Sequence, residues 1–170
     1  GVPVHALGGN HDENAALDPC SATSRGIPGH DHLLTDFSPE GHAVRAEHVR
    51  RTRQALHELT AEHDHDRLAR DVLDERFGVL VDQYDTGEWM YALRVLASPV
   101  STIRATFDLM PREGDEAWSN IASRLHRVRA ALDGVRATFE QGRATGKVAS
   151  RRQALAVAAQ CNTWADQRWF

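Results

Sequence analysis

Apolar residues in this chain recur at helical spacing. Between Asp115 and Arg143, Trp118, Ile121, Leu125, Val128, Leu132, Val135 and Phe139 follow one another in alternating steps of three and four. A seam of that period puts all seven side chains on one side of an α-helix, with Gly134 its one weak helix former. The pattern predicts a long helix whose stripe is buried against other helices of the same chain. Ile121, Leu125, Val128, Leu132 and Val135 are expected to be nearly inaccessible to solvent.

The other elements follow from caps and breakers. Asp18-Pro19 and Ser38-Pro39-Glu40 each pair a capping side chain with a proline at the first helical position. The first predicts a short helix, and the second a helix to about Glu62 with a thin apolar face of Val44, Val49, Leu56 and Leu59. Residues 25–37 hold Gly26, Pro28 and Gly29 and read as a loop. From about Asp66 to Thr86, Leu73, Phe77, Leu80 and Tyr84 step by four, three and four, widened by Val72 and Val79. Residues 88–97 read as helix or as a tight apolar connection. Ser98-Pro99 starts a helix that stops near Met110, before Pro111 and Gly114. Ser150 caps a last helix to about Asp166. No segment alternates with period two, so no sheet is expected. The predicted fold class is all-α: an antiparallel helical bundle of about five helices over residues 14–170, behind a flexible tail at residues 1–13.

Composition narrows the function classes. The 170 residues are 41% hydrophobic and 26% charged, as in soluble globular proteins. No run of eighteen apolar residues predicts a membrane span, and no secretory signal is visible, so a cytoplasmic location is expected. The net charge of −4 gives no general attraction to nucleic acid. That charge is uneven: residues 124–152 are Arg-rich, and residues 64–88 are acidic. Arg129, Arg136 and Arg143 recur every seven residues beside the seam. They are expected to pair with acids of a neighbouring helix, Arg129 and Arg136 with ones such as Asp71, Glu75 or Asp82; the alternative is a site for an anion. Cys20 and Cys161 fit no metal or redox spacing and read as free thiols.

Two clusters suggest chemistry. His30-Asp31-His32 and His63-Asp64-His65 repeat one tripeptide. His30, His32, His63 and His65 are therefore candidate metal ligands, as in a small metal-dependent phosphohydrolase that uses His-Asp doublets. Both clusters fall in predicted loops and turns, where solvated histidines are ordinary. His57-Glu58 begins like a zinc-protease helix, but the second His that motif needs is replaced by Ala61. No phosphate loop, nucleophile elbow or Cys-His pair is present, so no catalytic residue, metal site or cofactor is assigned within the chain. Trp164, Trp169 and Phe170 crowd the end of the sequence and are a candidate interface. Such an end reads as cut from something longer, with self-association or the missing C-terminal part as the expected partner.

Residues 16–19 (Ala-Leu-Asp-Pro), Ala22-Thr23, Gly26-Ile27-Pro28-Gly29-His30-Asp31 and the run from Leu34 to Gly41 resemble the N-terminal region of bacterial proteins of domain-of-unknown-function family 885. The Ser98-Pro99 start, Pro111 before the Trp118–Leu125 helix, and the Gly142-Arg143 to Gly146 turn follow in the same order, so the resemblance covers about residues 14–166. The resemblance implies a longer, largely helical protein, grouped with zinc metallopeptidases through an HExxH-type motif in its C-terminal half. This chain has no such motif. It would correspond to a non-catalytic N-terminal portion that shapes or covers a cleft, with zinc held elsewhere in the parent protein. The rival from another class is a stand-alone helical interaction module.

Overall fold

The computed structural model describes residues 12–61 and 63–166. Among them are seven α-helices and no strand, so the all-α class is as the sequence predicts. In order they are α1 (12–17), α2 (Pro19–Ser24), α3 (Pro39–Glu58) and α4 (Asp64–Asp85), a 3₁₀ turn (Glu88–Tyr91), then α5 (Pro99–Asp108), α6 (Asp115–Ala144) and α7 (Arg151–Asp166). The caps act where expected. Asp18 Oδ1 accepts from Ser21 N at 3.1 Å, Ser38 Oγ from Gly41 N at 3.1 Å, and Ser98 Oγ from Ser101 N at 3.2 Å.

The seam of α6 corrects the prediction made from it. Val135 is buried, and Ile121, Val128 and Phe139 are half-buried. Trp118, Leu125 and Leu132, however, keep 56%, 45% and 39% of their surface in solvent. Each directly follows a residue that is buried: Ala117, Arg124 and Ala131. The inward face is therefore turned about 100° from the row of largest apolar side chains. It is built from Ala117, Arg124, Ala131, Thr138 and Gly142 together with Val135.

Small and polar residues face inward there because the partner is largely main chain. Residues 25–38 form a strap laid along α6. Arg124 Nε donates to Leu33 O at 2.6 Å and its Nη2 to His30 O at 3.0 Å, and Thr138 Oγ1 donates to Phe37 O at 2.7 Å. At Gly134 a Cβ would stand 2.9 Å from Ser38 N. This glycine is thus the crossing point of strap and helix, not a lapse in helix propensity. The strap is tied to α2 as well, through Cys20 N donating to Thr35 Oγ1 at 3.1 Å. The apolar core gathers Cys20, Phe37, Ile103, Ala131 and Val135, flanked by Leu34, Val100, Phe107, Val128 and Phe139.

α3 and α4 form a hairpin beside this core. Arg53 Nε and Nη2 reach the two oxygens of Asp74 at 2.7 and 3.2 Å, and His57 Nε2 shares that carboxylate. Arg53 first, and His57 next, hold the Asp74 carboxyl well below its usual range. α4 is an outer helix whose one buried residue is Asp66, and Leu80 of its predicted stripe is half in solvent. α4 packs on α3 and the 3₁₀ turn, whereas α6 packs on α3, α5 and that turn. The expected pairing of the Arg row with α4 therefore does not form. Arg129 meets Asp133 at 4.0 Å and Arg136 meets Glu140 at 2.9 Å, one turn along their own helix. Asp71, Glu75 and Asp82 point to solvent.

Candidate functional site

A cavity of about 440 Å³ opens among α1, α2, α3, α4 and the 3₁₀ turn. Its wall is aromatic. Tyr84 stacks on Trp89 with ring centroids 5.6 Å apart and planes 5° off parallel, and His42 stacks on Trp89 at 4.7 Å and 26°. Gly87 makes this wall possible. Its φ of 75° turns the chain out of α4 into the 3₁₀ turn, a conformation that costs glycine little. Trp89 is then carried back toward α4, where its Nε1 donates to Tyr84 O at 3.1 Å and fixes the ring. Arg50 lies 5.3 Å over the Tyr84 ring.

The polar groups of the cavity are not evenly matched. Asp18 Oδ1 caps α2 and also accepts from Thr35 Oγ1 at 2.5 Å, two neutral donors that leave its negative charge in place. Glu88 faces Arg94 at 3.6 Å. Among the described residues Arg45 donates to a neutral acceptor, Asp36 O, at 2.6 Å, and Arg25 has no ion-pair partner. Burial pulls the Arg45 guanidinium down, against the nearby charges of Asp18 and Asp36. Burial also pushes the His42 imidazole down to about 4, helped by Arg45, so the ring is neutral at pH 7. Its Nε2 is buried and makes no hydrogen bond. With Glu88 paired to Arg94, the described lining is left with two guanidinium groups against the one carboxylate of Asp18, a net positive balance. Such an arrangement is equipped to bind, and it pairs no nucleophile with a base.

The candidate metal ligands are not brought together with partners of their own. His30 is half-buried, and its carbonyl rather than its ring is engaged, by Arg124. His32 is exposed beside Glu116 and Asn120 in a second hollow. His63 and His65 lie exposed at the start of α4, where the His63 N–H donates to Asp66 at 3.2 Å. Among the described residues no group of three or more His, Cys, Asp or Glu side chains could hold a metal ion. These residues do not fit the zinc that the resemblance places in the parent protein. Trp164 is half-buried, with Arg104 5.6 Å over its ring. Trp169 and Phe170, the rest of that candidate interface, lie outside the described residues.

Sequence reasoning missed His42, Arg45 and Trp89. The first two stand one turn apart on α3, and that spacing was readable. Nothing in the sequence brought Trp89 back onto them. No described helix is long and apolar enough to cross a membrane.

The class these elements define is an all-α protein in which a strap of main chain is clamped onto one long helix, beside an aromatic groove. A family model described as a bacterial protein of unknown function, DUF885, matches residues 19–169. The chain belongs to that family. No curated protein matches it.

Proposed function

We propose that this chain is the non-catalytic N-terminal helical portion of a longer, zinc-metallopeptidase-like bacterial protein, shaping or covering a cleft whose metal site lies outside it. The observation that carries the reading is the outer face of α6. Trp118, Leu125 and Leu132 form an exposed row at seven-residue spacing, and Arg129, Arg136 and Arg143 share that side of the helix. A continuous apolar row of this kind marks a surface built to be covered. Its arginines suit a cover that carries acids. The resemblance to the N-terminal region of longer members of this family supports a longer parent, and the aromatic groove is the feature such a portion would contribute to a cleft wall.

A stand-alone interaction module is the second reading, and one observation favours it. The outward face of α4 carries Leu68, Val72 and Val79 beside Asp71, Glu75 and Asp82, all exposed. That face complements α6 in both apolarity and charge, so two copies could dock α4 against α6. Sedimentation separates the two readings. The first expects a monomer that forms a one-to-one complex with the separately expressed remainder of the parent protein. A concentration-dependent dimer, lost on Glu75→Arg, with no complex with the remainder, would replace the first reading by the second.

A further inference from the structure

We propose that the groove between α2, α3 and the 3₁₀ turn is a binding site for a planar aromatic carboxylate, its ring on the Trp89 wall and its carboxylate on Arg25 and Arg45. The inference rests on this chain alone and holds whether or not the wider cleft reading does. Three independent features converge on it.

The first is the wall. Tyr84, Trp89 and His42 line the cavity as rings already ordered by stacking on one another and by the Trp89 Nε1–Tyr84 O bond, so little side-chain freedom is lost when a ring packs against them. The second is charge. Two carboxylates and two guanidinium groups are among the described residues that line the cavity; Glu88 is paired with Arg94, and Asp18, held through Oδ1 by Ser21 and Thr35, leaves one negative charge against two positive ones. Among the described residues Arg25 and Arg45 have no carboxylate within ion-pair distance, and the planar fork of a guanidinium matches a carboxylate in two parallel bonds. The third is His42 Nε2, a buried polar atom with no partner. Buried polar atoms are nearly always satisfied, and a hydrogen-bonding group of a bound ligand would supply the partner this one lacks. The cavity, about 440 Å³, suits a ligand of one or two fused rings with a short acid arm.

The test is calorimetric titration of the whole chain with indole-3-propionate, its neutral amide, and hexanoate. The ring acid is expected to bind with Kd at or below about 1 mM. The amide, which forfeits the charge-assisted bonds, should bind at least about tenfold more weakly, and so should hexanoate, which has no ring to stack. Trp89→Leu should abolish binding. Arg25→Gln alters an exposed side chain that the fold does not use, and should weaken the acid several-fold while leaving the amide unchanged. Equal binding of acid and amide, no binding of the acid up to 10 mM (far above the range such a site supports, roughly 1 mM), or wild-type affinity in Arg25→Gln would each overturn the assignment.

Discussion

Arg124 is the sharpest test of how this fold is held. It is fully buried, and its guanidinium reaches Leu33 O at 2.6 Å, Thr23 Oγ1 at 2.9 Å and His30 O at 3.0 Å, with the Asp31 carboxylate 3.9 Å away. Replacing a buried charge by an apolar side chain is often neutral when its partners are replaced too. Here two of the partners are main-chain carbonyls, which cannot be removed. Arg124→Met preserves most of the packed volume but orphans those carbonyls and leaves Asp31 without its nearest cation. Each bond to a charged group is worth about 1.5–3 kcal/mol, and relief of the guanidinium's desolvation, which already pulls its pKa down, returns part of the sum. A net loss of about 2–4 kcal/mol is expected by urea unfolding followed by circular dichroism. Arg124→Lys, which keeps the charge but cannot span three acceptors, should fall between. Amide exchange over residues 26–37 should accelerate in Arg124→Met more than exchange in α4, to which Arg124 makes no bond among the described residues. A loss below about 0.5 kcal/mol, the ordinary scatter of surface changes, would refute the clamp.

Three further outcomes follow from the same geometry. Gly134→Ala should destabilise by at least about 1 kcal/mol in the same unfolding assay, although alanine is the better helix former, because its Cβ would meet the Ser38 backbone. Leu125→Ala and Leu132→Ala should each cost less than about 1 kcal/mol in the isolated chain, since neither side chain is buried there. His42 gives a pH signature. Its folded pKa of about 4 lies below the ordinary 6.5, so the unfolded state binds the extra proton and stability falls as pH drops from 6.5 through 4. The loss attributable to this residue is up to roughly 3 kcal/mol, and His42→Phe should flatten the wild-type slope between pH 6.5 and 4.5.

Much of the helical framework was legible. Asp18, Ser38, Ser98 and the prolines after them announce three helix starts, because a capping oxygen and a fixed φ act locally. The orientation of α6 was not. A periodic pattern reports which residues are apolar, and it assumes that the largest of them face the core. In α6 the neighbour is a strap of main chain, which wants small residues and donors, so Arg124, Ala131 and Thr138 turn inward and Leu125 and Leu132 turn out. The Arg row was misplaced for a related reason: opposite charge on two helices says that they could pair, and not that they are neighbours. The groove escaped notice because Trp89 reaches His42 only through the turn at Gly87.

The central claim is that the outer row of α6 is covered in the intact protein. Thiol labelling of Leu125→Cys, in a Cys161→Ser background, measures that cover directly. In this chain alone position 125 should react as an exposed thiol, and in the longer parent protein that the proposed function calls for labelling should slow by at least about tenfold, the mark of a residue opened to solvent less than a tenth of the time. Equal rates in the two proteins would contradict the claim.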